Sequence, residues 1–302
     1  MTHHYICADW GSSNLRAYLV DDTGAVLEQR SLNQGILVCK GNFKATIHRL
    51  CHGWLLNFPQ APLYLCGMIG SREGWVDAGY LDTPADITRL AERLVAVPGL
   101  DHPAWIVPGI RHYSENRKSV DLMRGEETQI LGAMQRHDVK NGIFVLPGTH
   151  SKWSDIQDGH LTRFKTYMTG EMFNIIKEHS ILHYSIDDTV PTLNNAFFEG
   201  VTQAVNGSSL LNQIFMVRAT DVMALKPRNE QSSYLSGILI GQEIHHALTS
   251  YGGKPIYLIG SGSLATLYHG ALKHLEYDAE QISGDIAARL GLYSLTTQGR
   301  TL

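Results

Sequence analysis

The chain has four cysteines in 302 residues, Cys7, Cys39, Cys51 and Cys66, and no two stand in CxxC spacing. That excludes a disulfide framework and a zinc ribbon, and the favoured reading is reduced, buried thiols that behave as small apolar side chains. No run of 18 apolar residues occurs, and no apolar segment follows Met1-Thr2-His3-His4, so the chain is read as soluble and cytoplasmic, with no membrane partner. Positive charge is in short supply. Lys and Arg number 25 against 29 Asp and Glu, a formal net charge of −4, which disfavours nucleic acid as a partner. A small anionic ligand stays compatible with it, because local positive sites coexist with a negative total. There is no GxxxxGK[ST] segment, which excludes a P-loop nucleotide site. Low-complexity stretches and short repeats are also missing.

What is there is an ordered series of strands and helices. Apolar runs on either side of Gly11-Ser12-Ser13-Asn14 predict a β-hairpin, with a third strand over 25–30. A helix is expected over 43–58, stopped by Pro59, then a buried strand over 63–66 that runs into a glycine-rich loop, 67–75. Helices are expected over 86–96 and 120–135, with a strand over 104–107 between them. A strand over 143–146 enters Pro147-Gly148-Thr149-His150, followed by a second hairpin around Asp158-Gly159. Helices at 172–179, 197–208 and 235–251 come next, then a strand over 255–259, the turn Gly260-Ser261-Gly262-Ser263 and a helix over 282–292. Gly237 and Gly241, at i and i+4, predict close packing on one helix face. Strand, small polar turn and hairpin occur near residue 10 and again near residue 148, which points to two similar halves.

Five segments carry chemistry. Asp9 ends an apolar strand instead of sitting at the centre of its turn, where a carboxylate can hold Mg²⁺, a cation that takes oxygen ligands. Gly11 allows a phosphate to approach the backbone, and Ser12, Ser13 and Asn14 supply amides and polar side chains. Gly148, Thr149 and His150 form a second turn of this kind. Gly125-Glu126-Glu127 opens a helix. Acidic residues there satisfy the helix dipole, and either Glu126 or Glu127 also suits a base that takes a hydroxyl proton during phosphoryl transfer. Gly260 to Ala265 fits GxGxxA formally. Too little chain follows it for a Rossmann domain, so a glycine loop packing an adenosine is the better reading. In the loop after the 63–66 strand, Arg72, with Ser71 and Trp75, offers a fork for a substrate carboxylate.

Taken in order, these turns resemble the actin/hexokinase/Hsp70 superfamily of ATPases. Gly125–Gly132 followed by Pro147-Gly148-Thr149 resembles its carbohydrate kinases, departing from their Gly-Asp-Gln-Gln pattern by carrying glutamates. More closely, ADWGSSNLRAYL, CGMIGSREGW, RGEETQILG, LPGTHSKW and YMTGEMF together are similar to the 2-dehydro-3-deoxygalactonokinase family. The resemblance implies an α/β fold of two ribonuclease-H-like domains, each a mixed sheet flanked by helices, around a central cleft; the expected division is 1–114 and 115–302. It also implies ATP and Mg²⁺ as cofactors and a sugar acid as substrate, phosphorylated at its terminal hydroxyl in galactonate catabolism. Oligomerisation to a homo-oligomer is left open. The resemblance favours Glu126 over Glu127 as the base. Kinases of another sugar or sugar acid share the superfamily motifs. A nucleotide-driven binding protein of the actin or Hsp70 kind shares them too, but needs no carboxylate aimed at a substrate hydroxyl.

Overall fold

The computed structural model describes residues 3–207 and 209–298. In chain order its elements are β1 (His4–Trp10), β2 (Leu15–Asp21), β3 (Val26–Leu32), α1 (Ile36–Cys39), α2 (Phe43–Asn57), β4 (Leu63–Cys66), β5 (Tyr80–Asp82), β6 (Ala85–Asp86) and β7 (Val95–Ala96). Then come β8 (Ala104–Ile106), β9 (Gly109–Tyr113), β10 (Val120–Met123), α3 (Glu126–His137), β11 (Gly142–Leu146), β12 (Ser151–Gln157), β13 (His160–Tyr167) and α4 (Thr169–His179). The chain ends through α5 (Asn195–Asn206), α6 (Leu210–Val222), α7 (Arg228–Tyr251), β14 (Ile256–Ile259), α8 (Gly262–His274), β15 (Ala279–Ile282) and α9 (Gly284–Gln298).

Two compact units result. Among the described residues the first takes those up to Asn141, Ile156–Phe164 and those from Ser283 onward; the second takes Gly142–Asp155 and Lys165–Ile282. In the first unit the main sheet runs β3-β2-β1-β4-β8-β7. β1 pairs antiparallel with β2 and parallel with β4, and β4 pairs parallel with β8. Ile6, Trp10, Leu15 and Leu65 on its inner face pack with Ile47 and Trp54 of α2. The other face of β1 is buried too, because α9 returns to it from the far end of the chain. α9 also packs against α3 so closely that a Cβ at Gly132 would lie 1.9 Å from the Ala287 carbonyl oxygen. A small sheet, β10-β9-β5, completes this unit.

In the second unit the strand order is β12-β11-β14-β15, β14 lying parallel to both β11 and β15. Val145, Trp153, Phe197, Ile244, Leu258 and Tyr268 form its core. The fold is therefore the α/β class with mixed, helix-flanked sheets. All four cysteines are buried free thiols. Among the described residues no helix is long and apolar enough to cross a membrane.

Several segments depart from their expected form. The helix predicted over 86–96 is a 3₁₀ turn, Ile87–Arg93, between two short strands. Asp86 caps Thr88 as a helix start should, and the buried Ile87, Leu90 and Ala91 satisfy a threefold spacing as well as a helical one. Backbone angles at Leu94 (φ −60°, ψ 139°) then release the chain, and Val95 pairs with Ile106. The helix predicted over 120–135 is β10 followed by α3. Gly125, at φ +103°, separates them, a conformation that L side chains rarely adopt. The 235–251 helix begins earlier, at Arg228 behind Pro227. The 197–208 helix starts at Asn195 behind an Asn194 cap; Ser208, its expected end, lies outside the described residues.

Gly237 and Gly241 do pack closely, against α5. A Cβ at Gly237 would stand 2.1 Å from the Phe197 carbonyl oxygen, and one at Gly241 2.8 Å from the Ala204 Cβ. Gly237→Ala should therefore destabilise the protein by about 1–3 kcal/mol through overpacking, read as a lower midpoint in urea unfolding; an unchanged midpoint contradicts this packing.

Candidate active site

The turn after β1 is braced from behind. Gly11 N–H donates to the Asn14 carbonyl at 2.9 Å, and the Gly35, Ile36 and Leu37 amides donate to the carbonyls of Ser13, Gly11 and Ser12 at 2.8, 3.1 and 3.3 Å. All four carbonyls of Gly11–Asn14 are thus occupied. What this turn has left to offer is donors, the polarity an anion takes. A Cβ on Gly35 would stand 2.0 Å from the Ser12 carbonyl oxygen, so glycine is needed for the bracing. Nothing local in the sequence marks Gly35, because its partner lies more than 20 residues earlier.

Asp9 occupies the last turn-facing position of β1, beside Arg16 on β2 and Cys66 on β4. The Cys66 thiol donates to Asp9 Oδ1 at 3.8 Å. Part of the Asp9 surface stays open, yet the protein crowds it enough that burial pushes its carboxyl up to about 6. Arg16 opposes that shift, while Asp285 and Glu126 add to it. Arg16 itself pairs with Asp285 of α9 at 2.9 Å.

Gly67, directly after β4, has φ +89°, and a Cβ there would lie 2.8 Å from the Trp10 carbonyl oxygen and 3.2 Å from Asp9 Oδ1. Gly125 meets it from the other side: a Cβ at 125 would be 3.1 Å from the Gly67 Cα. Two glycine turns packed this closely bring the start of α3, and with it Glu126, next to Asp9. Glu126 is half-buried, and one of its carboxylate oxygens accepts from the Arg124 N–H at 2.9 Å. Glu127 is fully buried. Its two oxygens accept from Gly125 N–H at 2.7 Å and from the Thr128 hydroxyl at 2.9 Å. Burial, then the neighbouring Glu126 charge, raises its carboxyl to about 7.

In the second unit, Gly148, Thr149 and Ser263 line a cavity of about 230 Å³ together with Thr169, Gly170 and Asn174. Gly260, Ser261 and Gly262 lead into α8 but are not among its lining. The Gly260 N–H donates to the Ile282 carbonyl at 2.9 Å. Exposed His150 contacts the Glu171 carboxylate. Gly170 lies against the 148–149 backbone, where a Cβ would stand 2.6 Å from the Gly148 carbonyl oxygen. Buried Glu243 of α7 ties the surroundings together. It accepts from Ser151 Oγ at 2.6 Å, Trp153 Nε1 at 2.8 Å, Tyr268 OH at 2.6 Å and the Thr169 hydroxyl.

The loop residues Ser71, Arg72 and Trp75 lie in the first unit but serve different environments. Arg72 is 88% exposed and 3.7 Å from Asp77. Trp75 packs into the core, tilted against Phe43. Ser71 is buried, and its hydroxyl has no hydrogen-bond partner. The sequence motifs contain Gly67, Arg124 and Gly170 without assigning them these contacts, and Gly35 and Glu243 lie outside every motif. YMTGEMF was noticed as a motif, though without a role for Thr169 or Gly170.

The family model for 2-keto-3-deoxy-galactonokinase matches residues 9–295. The chain belongs to this family. It is 36% identical to a probable 2-dehydro-3-deoxygalactonokinase of Rhizobium meliloti strain 1021, over 96% of this chain and 95% of that one. It is 33% identical to the 2-dehydro-3-deoxygalactonokinase of Escherichia coli K12, over 98% of each. A crystal structure of a 2-dehydro-3-deoxygalactonokinase-like protein from Sinorhizobium meliloti superposes with a TM-score of 0.89 at 35% identity, over 98% of both chains. Asp9 begins the span matched by the galactonokinase family model, which also contains every turn described above.

Glu127 gives a pH test. A carboxyl raised from the ordinary 4.5 to about 7 binds its proton more tightly in the folded state, so its stabilising effect is full below 4.5 and is lost as pH rises towards 7. The span corresponds to about 3 kcal/mol. Glu127→Gln keeps an acceptor for Gly125 N–H, while the Thr128 hydroxyl can turn to accept from the amide. Thermal unfolding should show the wild type losing stability against this variant between pH 4.5 and 7; parallel curves refute the assignment.

Proposed function

We propose that this chain is an ATP-dependent kinase that phosphorylates the C6 hydroxyl of 2-dehydro-3-deoxy-D-galactonate, a step of galactonate catabolism. The observation that carries the reading is the pair of carboxylates, Asp9 of β1 and Glu126 of α3, that the abutting Gly67 and Gly125 turns bring together in a chain of this kinase family. Glu127 has both oxygens engaged and no exposed surface, which supports Glu126 as the group that meets substrate. Glu126 accepts the C6 hydroxyl proton as its oxygen bonds to the γ-phosphorus and the bond to the β,γ-bridging oxygen breaks. The Gly11–Asn14 turn donates to phosphate oxygens in the first unit. Gly148, Thr149 and His150 do so in the second, and Gly260–Ser263 takes the adenosine. Positioning and charge neutralisation supply most of the acceleration in such transfers. The Ser71–Trp75 loop forms the acid-side wall, with Arg72 its outward cation.

Among the described residues no group of three or more His, Cys, Asp or Glu could hold a metal. That still fits Mg²⁺, which is commonly held by one or two carboxylates, substrate phosphates and water. Asp9 would hold it: burial, with Asp285 and Glu126 adding to it, raises its carboxyl to about 6, and a bound cation would favour the ionised form. Bound Mg²⁺ would neutralise charge on the phosphates.

Purified protein should turn over ATP only when the sugar acid is present, and phosphorus–carbon coupling in the product should place the phosphate on C6. ATP turnover indifferent to the acid contradicts the reading. Glu126→Gln should lower the transfer rate by roughly 10²–10⁴-fold with nucleotide binding retained. A near-normal rate would remove Glu126 from its role.

A further inference from the structure

Arg124 stands just before the Gly125 turn, and its backbone N–H holds the Glu126 carboxylate. Its side chain runs the other way. Nη2 donates to the Gly79 carbonyl at 2.9 Å, and the guanidinium lies 4.4 Å over the Tyr80 ring. Only 9% of the residue is exposed. Nε and Nη1 are buried without any hydrogen-bond partner. Burying a charged group with unpaired donors costs several kcal/mol, and such groups in native proteins normally find an anion. The adjoining turn carries a second unpaired donor, the buried Ser71 hydroxyl. The two turns meet at Gly70, where a Cβ would stand 3.0 Å from Arg124 Nη1. A Cβ there would also meet Ile106 Cγ2 at 2.7 Å, so glycine is what lets the guanidinium lie this close.

We propose that Arg124, assisted by the Ser71 hydroxyl, seats the carboxylate of the sugar-acid substrate and sets the specificity for an acid over a neutral sugar; this rests on the kinase reading given above. The stem of the arginine separates its head from its own backbone, where Glu126 is held. One short turn thereby presents a cation and a base at opposite ends, and the substrate carries its carboxylate at C1 and its reacting hydroxyl at C6. The Nη2 bond and the Tyr80 stack fix the head in advance, which limits the ordering lost when an anion binds. Arg72, largely in water, meets a carboxylate with full solvent competition and contributes little.

The test compares 2-dehydro-3-deoxygalactonate with its primary amide as phosphoryl acceptors. Wild type should prefer the acid by about a hundredfold or more in kcat/KM, as sites built around a buried polar partner do. Arg124→Met should lose that preference: kcat/KM for the acid falls far more than kcat/KM for the amide, so that the two converge. Arg124→Lys should recover part of the preference. If Arg124→Met does not fold, the wild-type comparison and Arg124→Lys still decide. A wild type that treats acid and amide alike overturns the proposal, and so does an Arg124 variant with undiminished preference. A wild type that phosphorylates neither acceptor fails the kinase reading itself, a distinct result.

Discussion

The contact of Gly67 with Gly125 is the constraint on which the site depends. A side chain at either position would strike the neighbouring backbone: at 67 it would meet the Trp10 carbonyl and Asp9, at 125 the Gly67 Cα. Both residues also hold positive φ, at +89° and +103°. Only because neither has a Cβ can the turn leaving β4 lie against the turn entering α3. That closeness brings two carboxylates from residues 9 and 126 into one electrostatic neighbourhood. It also sets the Arg124 side chain against the Gly70 backbone. α9 secures the arrangement by packing on α3 and on β1.

Two adjacent glutamates behave differently in this setting. Glu127 turns inward and closes the helix start, tied to Gly125 N–H and Thr128, and its ionisation is opposed by burial. Glu126 turns to the half-open side, where one of its oxygens accepts from the Arg124 N–H. One residue along a helix is about 100° of rotation, so placing one carboxylate inside leaves its neighbour facing out. A comparable division holds in the second unit. There Glu243 is a buried carboxylate with four donors, which fixes Ser151, Trp153, Thr169 and Tyr268 around the cavity without lining it.

Much of this was legible locally. Alternating apolar residues around Gly11–Asn14 and the strands at 63–66, 143–146 and 256–259 mark themselves by burial and by the turns that follow. The Gly237/Gly241 pair marked a close helix contact for the same reason: its cause lies within one turn of one helix. Failures came where the cause is distant or ambiguous. Ile87, Leu90 and Ala91 fit a 3₁₀ turn as well as an α-helix, and only pairing of Val95 with Ile106 decides. The break at Gly125 depends on Gly67, 58 positions earlier, which no window of sequence displays. Arginine 72 advertised itself by standing in a glycine loop. Arg124, whose burial is a tertiary fact, did not.

We propose that Glu126 faces the reacting hydroxyl while Asp9 faces the cation. A structure of the protein with a non-hydrolysable ATP analogue, a divalent cation and 2-dehydro-3-deoxygalactonate tests it most directly. The expected density places the C6 hydroxyl about 3 Å from a Glu126 oxygen, with Asp9 on the cation side, directly or through water. A C6 hydroxyl seated against another side chain, with Glu126 turned away from it, would contradict the claim.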